Sequence, residues 1–187
     1  KCLMPFAARS AKTKAFVQGR NELWKQLDTI PKNAQVVWMH CASFGEYEQG
    51  LPILKGLKAS KPECFYLVTF FSPSAYEVRG NHGVANLATY LPWDTKKDVQ
   101  RFLDLVRPKM ALFVKYEFWP NMIRALHKAN VHLFLIAGLF RSNHVFFKPW
   151  GGGYRKLLQG FNHLFVQNEP SLKLLNQIGI HHASVSG

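Results

Sequence analysis

Along the chain, short apolar runs alternate with stretches in which apolar residues recur every three or four positions. Gln35–Met39 (QVVWM), Phe65–Phe70 (FYLVTF), Met110–Val114 (MALFV) and His132–Ile136 (HLFLI) are apolar, β-branched or aromatic runs of strand length. Thr89–Leu91, Leu164–Val166 and Ala183–Ser186 are shorter strand candidates. Tyr47–Ser60 sets Leu51, Leu54 and Leu57 on one helical face, and Thr95–Val106 does the same with Val99, Phe102, Leu103 and Val106. Pro120–Ala129, Tyr154–Gln159 and Pro170–Gln177 read as further helices, with a short helical stretch at Ser74–Arg79. Buried strands alternating with helices predict an α/β fold, a Rossmann-like parallel sheet with helices on both faces. Ligands of such sheets bind at the carboxyl ends of the strands, so chemistry is expected in the strand-to-helix loops.

The length, 187 residues, suits one domain able to bury a core without disulfides. A net charge of +13 asks for an anionic partner, which nucleic acid, an anionic membrane surface or a phosphorylated substrate would each satisfy. Basic residues cluster only at Lys12/Lys14, Lys96/Lys97 and Arg155/Lys156, without an arginine-rich arm or a nucleic-acid motif, which ranks nucleic acid last. With 15 phenylalanines, more than a core of this size needs, some are expected on the surface. Cys2, Cys41 and Cys64 form no CxxC pair and no disulfide framework, which fits a reducing, cytoplasmic setting. No apolar run approaches the ~18 residues of a membrane span. Lys1–Gly19 combines Lys1, Arg9, Lys12 and Lys14 with Met4, Phe6, Phe16 and Val17. As a helix it is either a basic amphipathic segment for a membrane surface or a frayed helix packed on the domain.

Four loops carry candidate chemistry. After the first strand, Ser43-x-x-Glu46 is a capping box, but Glu46 is also placed to act as a general base. A helix N-terminus favours its anion, and only burial or a neighbouring carboxylate would raise its proton affinity again. After the second strand, the hydroxyls of Thr69, Ser72 and Ser74 are suited either to a sugar or phosphate or to capping, since Ser74-x-x-Glu77 is a second box. After the third long strand, Lys115 and Glu117 point the same way if the chain stays extended, as a surface ion pair or as part of a site, and Pro120 starts the next helix. In the fourth loop Arg141 offers forked donors for phosphate or carboxylate. No metal-ligand spacing, dinucleotide glycine motif or phosphate loop is present, and His40 reads as a satisfied core or loop histidine.

In order along the chain, GRNELW (Gly19–Trp24), HCASFGEYEQGLPIL (His40–Leu54), TFFSPSAYEVR (Thr69–Arg79), YLPWDT (Tyr90–Thr95), YEFWPN (Tyr116–Asn121) and QNE (Gln167–Glu169) together resemble the N-terminal domain of the 3-deoxy-D-manno-octulosonic acid (Kdo) transferase family. The resemblance implies the N-terminal half of a two-domain GT-B glycosyltransferase that inverts configuration, transferring Kdo from CMP-Kdo to a lipid A precursor in lipopolysaccharide biosynthesis. It implies that Glu46 is the general base and Glu117 a second site carboxylate. Ser43, Gly45, Thr69, Ser72, Ser74, Arg79, Lys115 and Arg141 are then candidates for acceptor binding. No metal or cofactor is implied. The partners would be the lipid A precursor and an anionic inner-membrane surface on its cytoplasmic face, with CMP-Kdo held by a donor domain outside this sequence.

On this reading residues 1–20 are a membrane-proximal segment and 21–187 an acceptor-binding domain, inactive in transfer when isolated. The sequence departs from the family pattern in lacking an N-terminal membrane segment and in carrying Ala75 where many relatives have glycine. The competing reading is a non-catalytic α/β module that binds an anionic ligand.

Overall fold

The computed structural model of the chain describes residues 20, 22–72 and 83–186. Seven strands form one sheet: β1 (Val36–Cys41), β2 (Phe65–Phe70), β3 (Leu87–Tyr90), β4 (Pro108–Val114), β5 (His132–Gly138), β6 (His163–Val166) and β7 (Ala183–Val185). The described helices between them are α1 (Phe44–Ser60), α2 (Lys96–Val106), α3 (Pro120–Lys128), α4 (Gly152–Leu158) and α5 (Glu169–Gln177). Every ladder is parallel, in the order β3-β2-β1-β4-β5-β6-β7. The α/β prediction therefore holds.

The order reverses at β1. The chain adds β2 and β3 on one side of it, then crosses back to place β4 on the other. The carboxyl ends of β1 and β4 thus flank a topological switch point, where an open α/β sheet leaves a crevice for ligands.

Successive β1 residues serve opposite faces, as the pleat requires. Trp38 belongs to a core with Leu67, Phe102, Phe113, Leu126 and Leu164. Its neighbour Met39 belongs to a second core with Leu54, Tyr66, Val68, Leu112 and Ile136. Both cores are continuous apolar packing, which is why the central strands read as unbroken apolar runs.

Element boundaries moved where caps decide them. Helix α1 begins at Phe44 rather than Tyr47 because Ser43 is its N-cap. A helical segment over residues 22–27 and a 3-10 turn at Val145–Phe147 were not anticipated. Six residues anchored by buried Leu23 and Leu27 are too short to show a helical period.

The surface differs from expectation. Among the described residues the exposed large apolar side chains are Ile53, Trp93, Tyr116, Trp150, Tyr154 and Val185, with no phenylalanine among them. Phe118, Phe140, Phe146 and Phe161 instead pack on one another beyond β4 and β5, in edge-on or tilted pairs 4.7–6.3 Å between centroids. The stretches 1–19 and 73–82 lie outside the described residues, and with them most of the expected membrane-proximal segment, the helix at Ser74–Arg79, and Ser74, Ala75 and Arg79.

Of the three glycines at the start of α4, only Gly151, its N-cap, is sterically required. A Cβ there would sit 2.0 Å from the Val145 carbonyl oxygen, whereas one at Gly153 would meet nothing within 4 Å. Gly151→Ala is expected to lower stability by about 1–3 kcal/mol. Gly153→Ala should be neutral or stabilising by up to about 1 kcal/mol. Denaturant unfolding of both variants checks the contrast.

Candidate active site

The site forms where the loops after β1 and β4 meet. His40, near the end of β1, is fully buried and lies in register between Thr69 of β2 and Phe113 of β4. Its Nδ1 is 2.9 Å from Thr69 Oγ1 and its Nε2 is 3.2 Å from Glu117 Oε2. The indole N–H of Trp38, on the same face of β1, donates to Thr69 Oγ1 at 2.8 Å. A line of polar contacts therefore runs from the interior of the sheet to a carboxylate at its edge.

Glu117 reaches His40 because β4 ends abruptly. Lys115 still donates its N–H to the Ile136 carbonyl at 2.9 Å, but its backbone is left-handed, with φ of 62°. The next residues fold back, and Phe118 N–H donates to the Tyr116 carbonyl at 2.9 Å. This corrects the extended geometry expected at Lys115. Among the described residues no ion pair joins Lys115 to Glu117, and Glu117 Oε2 instead lies 3.2 Å from His40 Nε2. Trp119 Nε1–H donates to the same Oε2 at 2.7 Å.

Glu46 is the other carboxylate. Its Oε2 accepts from the backbone N–H groups of Ala42 (2.6 Å) and Ser43 (3.0 Å), and Ser43 Oγ accepts from the Glu46 N–H at 3.4 Å. The capping box is thus fully formed. Burial nevertheless raises the proton affinity of Glu46 above that of an ordinary carboxylate, and the charge of Glu117 raises it further. The Ser43 and Ala42 N–H groups and His40 pull the other way without reversing the direction. Cap and poised carboxylate are therefore one residue.

Both carboxylates are fixed through Oε2. Among the described residues no hydrogen bond uses Oε1 of either.

Two further residues were missed in the sequence. Trp119 is the N-cap of α3 but supplies no side-chain cap, and Asp94, after β3, takes that role. Its Oδ2 accepts from Asn121 N–H at 3.0 Å and its Oδ1 from Met122 N–H at 2.9 Å, while Asn121 Nδ2 donates to the Asp94 carbonyl. YLPWDT and YEFWPN are thus one structural unit. Arg20 lies over the rings of Phe71, Tyr90 and Trp93, 4.7–5.0 Å from their centroids. Phe71 also packs on Trp119 at 5.1 Å, joining this cluster to the site.

Other candidates are placed differently. Thr69 is fully buried, and its hydroxyl is occupied by Trp38 and His40. It supports His40 and is not exposed to the crevice. Ser43 and Gly45 are exposed at the start of α1, and a Cβ at Gly45 would meet no atom within 4 Å. Ser72 is half-buried, with its N–H on the Ala42 carbonyl at 2.9 Å, beside the same loop. Arg141 is exposed after β5. Asn168 of the QNE stretch caps α5 and holds Ser171, whose hydroxyl accepts from the Phe140 N–H at 2.9 Å. Among the described residues no three His, Cys, Asp or Glu side chains converge as a metal site. Nor is any described helix long and apolar enough to cross a membrane.

An all-parallel sheet with two carboxylates near its switch point as the candidate site defines a Rossmann-like α/β domain, the architecture of one half of a GT-B glycosyltransferase. A family model described as 3-deoxy-D-manno-octulosonic-acid transferase (Kdo transferase) matches residues 9–187, and the chain belongs to that family. It is 27% identical over 150 residues to a 3-deoxy-D-manno-octulosonic acid transferase of Rickettsia bellii, covering 79% of this chain and 36% of the relative. A Haemophilus influenzae protein with the same description is 33% identical over 98 residues, 52% of this chain and 23% of the relative. One from Aquifex aeolicus is 41% identical over 88 residues, 46% of this chain and 24% of the relative. The chain thus spans between 23% and 36% of the length of these relatives.

Asp94→Ala is expected to lower stability by about 1–2 kcal/mol through loss of the α3 cap. Asp94→Asn, which keeps one acceptor oxygen, should lose less. Thermal unfolding of the two variants separates them.

Proposed function

We propose that the full protein transfers Kdo from CMP-Kdo to a hydroxyl of a lipid A precursor with inversion, and that this domain binds the acceptor and supplies the base. The observation that carries the reading is the pair of carboxylates, each anchored through Oε2 with Oε1 left for a ligand. Glu46 Oε1 takes the proton of the acceptor hydroxyl as its oxygen attacks the anomeric carbon of Kdo. The bond from that carbon to the CMP phosphate breaks, and CMP leaves with the electron pair. No covalent enzyme intermediate is needed in an inverting displacement.

Both the burial of Glu46 and the nearby charge of Glu117 favour this role by making Glu46 a stronger base than a free carboxylate. Glu117 also offers its own Oε1 to orient the acceptor. Gly45 is exposed with open space above its Cα, so a sugar ring can approach the start of α1 closely. Ser43 and Ser72 supply hydroxyls near that ring. Lys115 and Arg141, with Arg79 and Ser74, bind the acceptor phosphates. CMP-Kdo is held by a part of the full protein beyond this sequence.

The net charge of +13 suits a phosphorylated acceptor lying in an anionic leaflet. The exposed Trp93, Trp150 and Tyr154 suit the interfacial layer of that membrane, which supports a location at the cytoplasmic face of the inner membrane.

Glu46→Gln tests the base without removing the cap, because glutamine also completes a capping box. In the full-length enzyme this variant should fold normally and lose about 10²- to 10⁴-fold in kcat. Near-normal transfer from CMP-Kdo would leave Glu46 as a cap alone.

The pH profile gives a second check. A base must be deprotonated, so activity rises as pH rises through the Glu46 titration. Because that titration lies above the ordinary carboxylate value, the acidic limb of kcat/KM should too. Glu117→Gln removes a charge that raises it, so the acidic limb of that variant should move to lower pH. An unmoved limb would separate the two carboxylates functionally.

A further inference from the structure

The His40 ring is fully buried, yet both of its nitrogens are engaged. Thr69 Oγ1 accepts the Trp38 indole N–H, so its own hydrogen is available to His40 Nδ1 at 2.9 Å. Nε2 then carries the ring hydrogen and donates it to Glu117 Oε2 at 3.2 Å. The opposite neutral tautomer would leave Nε2 to accept from the Trp119 indole N–H at 3.1 Å, a hydrogen already held at 2.7 Å by Glu117 Oε2, and would turn its lone pair toward that oxygen 3.2 Å away. An imidazolium would again carry hydrogen on Nε2, while donating through Nδ1 to the Thr69 carbonyl at 3.1 Å. With the Trp119 hydrogen on Glu117 at the shorter of its two contacts, the arrangement that keeps the Nε2 and Oε2 lone pairs from facing each other aims a His40 N–H at Glu117.

Two donors converge on Glu117 Oε2, from Trp119 and His40. Trp119 lies two residues away on the same loop and moves with it. Of the hydrogen bonds to the Glu117 side chain, His40's is the one that comes from the sheet.

We propose that His40 is a positioning residue for the transfer reaction: its Nε2–H ties the Glu117 carboxylate to the end of β1, so that Oε1 is presented to the acceptor in one orientation. This rests on the reading that Glu46 and Glu117 form the transfer site. Trp38 and Thr69 belong to the device, because they fix which ring nitrogen bears the hydrogen. Without His40, the Glu117 carboxylate keeps a single donor, Trp119, which belongs to the same loop and does not tie the carboxylate to the sheet. A displacement on the order of 1 Å at such a group lowers the rate by roughly 10²-fold.

The test uses the full-length enzyme and a Kdo-transfer assay with CMP-Kdo and a lipid A precursor. His40→Leu should lower kcat by about 10- to 100-fold. His40→Gln, whose amide N–H reaches the same place, should recover most of that loss. In a Glu117→Ala background, His40→Leu should cause no further loss, since residues acting through one contact are not additive. Losses that multiply, or a glutamine variant as impaired as leucine, would overturn the proposal and leave His40 a packing residue. A readout that needs no variant is the 15N NMR spectrum of the histidine-labelled enzyme. Hydrogen on His40 Nε2 is expected, and a neutral ring with hydrogen only on Nδ1 would also overturn it. Inactive wild type, or an unimpaired Glu117→Ala enzyme, would instead remove the functional reading itself. Active wild type with damaged Glu117→Ala and normal His40→Leu would remove only the role of His40.

Discussion

The geometry of the site depends on one break in a strand. Lys115 takes up a left-handed backbone while its N–H is still in the β4–β5 ladder, and the chain doubles back over β1. A non-glycine residue in that conformation is held there by its surroundings. Here the surroundings are the Ile136 carbonyl behind it, the phenylalanine cluster that receives Phe118, and the Asp94 cap that fixes the start of α3. Glu117 is placed against His40 as a result, and its charge acts on Glu46. If the strand ran on, Glu117 would follow the pleat instead.

The fold was readable because a parallel sheet buried on both faces leaves long apolar runs, and β2 was legible to the residue. Most of the remaining strands and helices shifted by one to three residues at their ends, where a cap or a ladder partner decides. Glu46 was legible as a cap, because the capping box is a local pattern, and the same loop position made it a candidate base. What sequence spacing could not show was which term governs its protonation. That needed the burial and the approach of Glu117, some seventy residues later in the chain.

His40 is the satisfied core histidine that its position predicts, but its partners, like those of Asp94 and Arg20, were illegible for a common reason. Each acts on residues far along the chain: His40 on Glu117, Asp94 on Asn121 and Met122, Arg20 on Phe71 and Trp93. Spacing rules see only neighbours within a turn or a strand. The segments that carried the family resemblance did include all three residues. Lys115 is the opposite case: alternation with Glu117 was conditional on an extended chain, and the chain turns at Lys115 itself. Thr69 was recognised as a polar residue at a strand end, but its burial turned it inward.

The Asp94 cap has a consequence for how the crevice handles negative charge. The free N–H groups at the start of a helix ordinarily give a sheet of this type its anion-binding end. Here a carboxylate from inside the protein already occupies the start of α3, and Glu46 occupies the start of α1. The two helix ends nearest the crevice are electrostatically quenched. Selectivity for an anion must then come from mobile cationic side chains, whose hold weakens with ionic strength and does not impose a single approach angle. Under the proposed function, such a surface would tolerate variation in the position and number of an acceptor's phosphates, while the anchored carboxylates would not tolerate variation in where the reacting hydroxyl lies.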